Sequence, residues 1–406
     1  MRPATPAEPA QLLLTIAYLG FVSLGLPDPV AGVAWPSVRE EFGLAQDRFG
    51  WIFIGLGCGY CVSGFFGGRL TQVIGLGRLL WTSSALVAAA MFGSGAAGAW
   101  WPIVVCAALW GLGSGGIDAG LNAYASHHFS AKHMNWLHAC YSIGATLGPW
   151  LMTAMIVVAG SWRAGYAIVG TALAAMALLF FATGKMWDDD DDAVDDNAAS
   201  RAEAAPAVSV GEVLGDRLVG LQISLFFLYV GLEFTVGQWS FTLLTEERGV
   251  PADWAGALAG AYYAAIGVGR VAAGLVVARL GLDRLIRATL AVALVGTLLY
   301  AAAPTQVIGC AGLLVVGLGL APVFPCLMTR TPQRIGTERA AHAVGFQVSA
   351  GMLGAALMPS LAGTLGRFGG LETIAQFAVV LAVALFLVHE LTLRVHAHRT
   401  ASATKQ

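Results

Sequence analysis

The apolar residues of this 406-residue chain fall into twelve blocks, each close to the length a helix needs to cross the hydrocarbon of a bilayer. They lie near 11–36, 48–73, 78–99, 101–125, 134–158, 163–185, 217–244, 252–279, 283–303, 305–328, 341–365 and 370–394. In lipid every backbone N–H and C=O must be satisfied inside the protein, so such blocks are expected to be helices. The polar composition agrees: 11% of residues are charged, and a soluble domain carries roughly twice that share. The expected fold class is an all-α membrane protein with 12 transmembrane helices, embedded in the lipid bilayer. A formal net charge of −2 and no basic stripe exclude nucleic acid as an expected partner. The opening MRPATPAEPA lacks the apolar core of a signal peptide, so the first block is expected to be retained. Cys58 and Cys61 form a C-x-x-C inside the second block. No second ligand pair accompanies it, so it reads as small apolar thiols and no metal site is expected.

Loop charge sets the orientation. Sixteen of the 22 Lys and Arg fall on one side, Arg69, Arg78, Arg279, Arg284 and Arg330 among them, and only Arg39, Arg48, Arg163, Arg248 and Arg367 on the other. The positive-inside rule then puts both termini in the cytoplasm of a multi-pass protein of the cell membrane. Between the sixth and seventh blocks runs Asp188 to Asp192, followed by Asp195, Asp196 and Glu203. Such a run cannot enter lipid or build a core. It is expected to be a flexible cytoplasmic linker, giving three parts: an N-terminal six-helix bundle over 1–186, the acidic linker over 187–210 and a C-terminal six-helix bundle over 211–406.

A shift of 206 residues superimposes the halves at spaced positions. Gly43 falls on Gly249, Asp47 on Asp253, Gly75-Leu76-x-Arg78-Leu79 on Gly281-Leu282-x-Arg284-Leu285, Gly111-Leu112-Gly113 on Gly317-Leu318-Gly319, and Leu147-Gly148 on Leu353-Gly354. Two parallel six-helix repeats are the architecture of major facilitator transporters, with the solute site near the midplane. The loop after the second block of each half resembles that superfamily's signature, Gly-x-x-x-Asp-Arg-x-Gly-x-basic-basic. It reads Gly68-x-x-x-Gln72-x-x-Gly75-x-x-Arg78 in one half and Gly274-x-x-x-Ala278-Arg279-x-Gly281-x-x-Arg284 in the other. The signature's acid is missing at both places. The resemblance implies the major facilitator fold, two pseudo-symmetric six-helix bundles working by alternating access.

Ionisable groups inside spans are costly and commonly functional. Asp28 stands between Pro27 and Pro29, which cannot donate backbone hydrogen bonds, so the first helix is expected to kink or open there. Glu233 lies one residue from the repeat equivalent of Asp28. Asp118 and Asn122, four apart, share a face of the fourth span. Asn135, His138 and Tyr141 follow one stripe of the fifth. Asp118, Asn122, Asn135 and His138 are expected to meet. Arg270, within the eighth span, is expected to pair charge between the halves.

The stretch Gly111-Leu-Gly-Ser-Gly-Gly-Ile-Asp118-Ala-Gly-Leu-Asn122, followed by Met134-Asn135-Trp-Leu-His138-Ala-Cys-Tyr141-Ser-Ile-Gly144-Ala, resembles the fucose–proton symporter family and its bacterial and animal hexose-transporter relatives. The segment Gly231-Leu-Glu233…Gly237-Gln238-Trp239 is similar to the start of their second half. His138 stands where the fucose member has Gln. The resemblance implies a secondary active symporter of a small-molecule hexose or deoxyhexose, or a similar polyhydroxylated solute. Asp28, Asp118 and Glu233 are the candidates for proton coupling, with sodium also open. Asp118, Asn122, Asn135, His138, Tyr141, Gln238, Trp239 and Gln347 are the candidates for binding the solute, Trp239 offering a stacking face. The alternative is a proton-antiport exporter of drugs or metabolites, supported by Gly144-Ala-Thr-Leu-Gly148-Pro149, which resembles the antiporter motif but lacks its closing glycines. No enzyme, catalytic residue or cofactor is expected, and a monomer is.

Overall fold

A computed structural model describes residues 8–202 and 210–403, with side chains over 11–130, 133–134, 136–187, 211–336, 339–340 and 342–402. Among the described residues there is no strand, and twelve helices are long and apolar enough to cross a membrane. Spans 1 to 6 are Gln11–Glu41, Gln46–Ile74, Leu76–Ala96, Trp100–His128, Trp136–Ala159 and Trp162–Trp187. Spans 7 to 12 are Arg217–Glu247, Ala252–Leu280, Leu282–Ala302, Gln306–Ile335, His342–Gly369 and Glu372–Ser402. The chain forms two compact units, one of residues up to Phe42 with Ile54–Ala204, the other of Gly43–Phe53 with the chain from Ala205.

The repeat seen in sequence is also written in backbone angles. Gly43 and Gly249 have φ of 60° and 62°, and Gly75 and Gly281 have φ of 83° and 76°. Side chains carry a steric penalty there, so the glycine is required at both copies of each turn. The helices pack where side chains are missing. A methyl on Gly111 would meet the Leu56 carbonyl, and one on Gly59 the Ala108 carbonyl, so spans 2 and 4 touch backbone to backbone.

Two spans are interrupted. Span 1 is helical over Glu8–Gly25 and again over Val30–Glu41. Its break holds Pro27, Asp28 and Pro29, as the missing proline donors predict. Span 10 breaks at Ala321-Pro322, between helices Gln306–Leu320 and Val323–Ile335.

Gly43–Phe53, counted with the first half on sequence, packs within the second unit. Phe49 meets Trp239 edge-on at 5.0 Å. Asp47 accepts from Arg367 Nη1 at 2.8 Å, and Gln46 Nε2 donates to Glu246 Oε2 at 2.8 Å. The acidic run also differs from the flexible spacer expected of it: the helix of span 6 continues as Trp162–Ala202. Ala193, Ala198, Ala199 and Ala202 favour helix. Trp187, fully buried against Tyr124 and Phe180, fixes its base.

The signature loop of the second unit replaces its missing acid. With Ala278 unable to accept, Asp283 takes hydrogen bonds from Arg330 Nε at 2.9 Å, Arg330 Nη2 at 2.5 Å and Arg334 Nη2 at 2.9 Å.

Candidate functional site

In the first unit the break in span 1 places Asp28 against span 5. Gly25 and Gly144 make this approach: a methyl on Gly25 would meet the Tyr141 carbonyl, and one on Gly144 the Val22 carbonyl. With the backbones this close, Tyr141 Oη donates to Asp28 Oδ2 at 2.6 Å. On span 4, Asn122 Nδ2 donates to Asp118 Oδ1 at 2.7 Å and to the Asp118 carbonyl at 3.0 Å. The other Asp118 oxygen accepts from Tyr60 Oη of span 2. The Asp28 carboxylate also feels the charge of Asp118. The unit therefore gathers two carboxylates, two phenols and an amide.

The His138 ring packs edge-on to Phe21 with centroids 5.5 Å apart. The side chain of Asn135 lies outside the described residues. The meeting expected of four residues is thus seen for Asp118 and Asn122.

In the second unit Glu233 accepts from Tyr229 Oη, one helical turn earlier on span 7. Its backbone carbonyl accepts from Tyr262 Oη at 3.1 Å. Arg270 acts electrostatically on Glu233, hydrogen-bonds Tyr229 and donates from Nε to the carbonyl of Ala321, at the break in span 10. Sequence reasoning assigned Arg270 to charge pairing between the halves. Here it engages a carboxylate and a phenol of its own unit, because span 8 brings it beside span 7.

Trp239 is fully buried, with Nε1 donating to the Pro359 carbonyl at 2.9 Å. Gln238, beside it, is buried as well. Gln347 belongs to a closed polar cluster: its Nε2 donates to Thr331 Oγ1 at 3.1 Å and to Gln222 Oε1 at 3.3 Å, and Thr331 Oγ1 donates to Gln222 Oε1 at 2.9 Å. Tyr60, Tyr229, Gln222 and Thr331 were not singled out on sequence. Tyr229 and Gln222 carried a usable signal, the first four residues before Glu233 and the second a lone amide in an apolar span. Tyr60 carried none, since a tyrosine in a span is as often packing as a donor.

The sequence model of the Major Facilitator Superfamily matches residues 13–359, and again 240–406. The chain belongs to that superfamily. "Bypass of stop codon protein 6" of Saccharomyces cerevisiae (strain ATCC 204508 / S288c) is 24% identical over 402 residues, covering 90% of this chain and 79% of the yeast protein. Among solved structures, a bacterial homolog of the human lysosomal transporter Spinster, in an inward-facing and unoccupied conformation, superimposes with a TM-score of 0.78 at 13% identity. That match covers 97% of this chain and 99% of the homolog. A D-xylose–proton symporter superimposes with a TM-score of 0.72 at 15% identity, over 93% of this chain and 96% of the symporter. This chain shares its fold with both solved transporters, and the protein is a multi-pass membrane transporter.

Proposed function

We propose that this facilitator carries a neutral polyhydroxylated solute, a hexose or deoxyhexose, in symport with protons. The observation that carries the reading is the pair of carboxylates in the first unit, each accepting from a phenol: Asp28 from Tyr141, Asp118 from Tyr60. A sugar hydroxyl offers a carboxylate the same O–H donor that these tyrosines do. Solute binding is then an exchange of donors at oxygens already placed to accept. Asn122 adds donor and acceptor capacity beside them.

Asp28 is the proton carrier in this scheme. It lies in the break of span 1, where the helix ladder no longer constrains the backbone. A proton bound there reduces the charge the pair holds inside the membrane, which favours rearrangement of the loaded carrier. Glu233, accepting from Tyr229 with Arg270 near it, serves the second unit's geometry. The likeness in fold to a D-xylose–proton symporter supports this reading. Both termini face the cytoplasm of the cell membrane, on the loop charge bias, and the chain works as a monomer.

Net uptake of labelled sugars into sugar-free proteoliposomes, with internal pH followed at once, tests the reading. Sugar entry accompanied by internal acidification supports it. Export of apolar cations with counter-movement of protons, and no sugar uptake, replaces it with the antiport alternative.

A further inference from the structure

At the end of the second unit where the chain turns from span 8 to span 9, Arg334 is buried at 4% exposure, its side chain entirely covered. Only its Nη2 is used, on Asp283. Its Nε and Nη1 are buried with no hydrogen-bond partner among the described residues. A guanidinium N–H left unbonded away from water forfeits most of a charged hydrogen bond, so such groups call for an occupant.

The neighbours repeat the pattern. His389 of span 12 is fully buried, and both ring nitrogens lack a hydrogen-bond partner among the described residues. Glu390 Oε1 is 3.5 Å from its Nδ1, long for such a bond, and that carboxylate is already held by Arg287 at 2.7 and 2.8 Å. His396 lies seven residues on, two turns along the same face, and its Nδ1 is also buried without a partner. The charges of Arg334 and Asp283 act on both rings.

The charge does not balance. Asp283 serves two guanidiniums, Arg330 and Arg334, while Arg287 and Glu390 neutralise each other. One positive charge is left over in this set among the described residues, and Arg334, wholly buried, shares its only carboxylate with the partly exposed Arg330, which leaves a buried guanidinium incompletely compensated. An open cleft of about 470 Å³ is lined by Asp283 and Arg330, the partners of this network, together with Arg284 and Gln333.

We propose that Arg334, His389 and His396 form a binding site for a small monovalent inorganic anion of the chloride class. The unused Arg334 Nε–H and Nη1–H and the buried ring nitrogens of His389 and His396 supply its hydrogen bonds, and its charge offsets the surplus guanidinium. The ion is structural: it ties the end of span 10 to spans 9 and 12, and it is not the transported solute.

The test is thermal unfolding of the purified full chain as sodium chloride replaces sodium gluconate at constant ionic strength, alongside equilibrium binding of labelled chloride. The wild type is expected to gain about 2–4 °C in Tm with a saturable dose dependence and to bind a single chloride. His389→Leu fills the space of the ring without its nitrogens, so it is expected to fold and to lose both the gain and the binding. Arg334→Gln is the second variant and is expected to behave alike. Equal Tm in chloride and gluconate for the wild type overturns the proposal and leaves water as the occupant. A chloride effect that persists unchanged in His389→Leu overturns it too, since the ion then binds elsewhere.

Discussion

Glu41 accepts a 2.5 Å hydrogen bond from Arg163 Nη2, joining the end of span 1 to the start of span 6. The second unit has the same clasp with the charges exchanged. Arg248, after span 7, is held by Glu372 at the start of span 12, through Nε at 2.8 Å and Nη2 at 2.7 Å. Each arginine also caps a span end of its own half: Arg163 donates to the carbonyls of Gly95 and Ala97, Arg248 to that of Tyr300. Each lies over an aromatic ring, Trp162 at 4.4 Å and Tyr300 at 4.8 Å. The duplication kept the geometry and let the polarity change. Burial works to discharge Arg248, but the Glu372 carboxylate more than offsets it and holds the guanidinium above its ordinary range.

The clasps should differ in weight. Arg248 has 8% of its side chain exposed, Arg163 32%. Arg248→Gln is expected to lower stability by about 1–3 kcal/mol, since the buried guanidinium is lost from both the Tyr300 carbonyl and Glu372. Arg163→Gln is expected to cost about 1 kcal/mol or less, since water screens and replaces an exposed pair. Thermal unfolding of the two variants decides it; equal losses would contradict the burial argument.

Glycine substitutions should split by position. Ala is the better helix former by roughly 0.5–1 kcal/mol, so Gly64→Ala and Gly68→Ala, where a methyl meets nothing within 4 Å, are expected to be neutral or stabilising. Gly144→Ala puts a methyl into the Val22 carbonyl and must push spans 1 and 5 apart. A loss of about 1–3 kcal/mol is expected, with weakened transport, because the Tyr141–Asp28 bond depends on that approach. Melting curves and uptake on the same preparations check both halves of the prediction.

Much of the fold was legible because its causes are local. Apolar length marks spans, prolines mark the break at Asp28, and glycines with positive φ recur at Gly43/Gly249 and Gly75/Gly281. The site was legible only in part. Asp118 and Asn122 share one helix face, so spacing alone brings them together. Tyr60 reaches Asp118 from another span, and no spacing rule encodes that. Asp283 illustrates the same limit: the missing acid at Ala278 was visible, while its replacement five residues on depends on where Arg330 and Arg334 project. The docking of Gly43–Phe53 in the second unit likewise rests on contacts hundreds of residues apart in sequence, such as Gly50 with Ser360.

Gln347 separates two roles. Its side chain is fully buried and bonded to Gln222 and Thr331, so Gln347→Leu is expected to cost about 1–3 kcal/mol by stranding both partners. The half-saturating solute concentration should stay unchanged in protein that remains folded. A selective loss of solute affinity at wild-type stability would instead put Gln347 in contact with the solute.

Orientation is checked by short epitope tags inserted at Gly98 and added after Gln406. The loop charge bias puts Gly98 outside and the C-terminus in the cytoplasm. Labelling of intact cells is expected for the first tag and only after permeabilisation for the second. The reverse pattern would invert the topology.

The proton step rests on Asp28. Asp28→Asn imitates the protonated acid permanently: the amide keeps the size and still accepts from Tyr141 Oη. Solute should therefore bind, and the loaded carrier should rearrange, so counterflow is expected to persist. Uphill accumulation should vanish, because no proton can be released on the cytoplasmic side. Asp118→Asn differs, since Asp118 takes donors from Tyr60 and Asn122 and serves hydroxyl binding in the proposed scheme. Its affinity is expected to fall by about 1–3 kcal/mol, the cost of mismatched buried donors, with coupling retained in what it transports. Paired measurements of proton-driven uptake and counterflow in proteoliposomes distinguish the two. Full uphill uptake by Asp28→Asn would remove it from the coupling step and leave Asp118, whose charge Asp28 feels directly, as the next carboxylate to test.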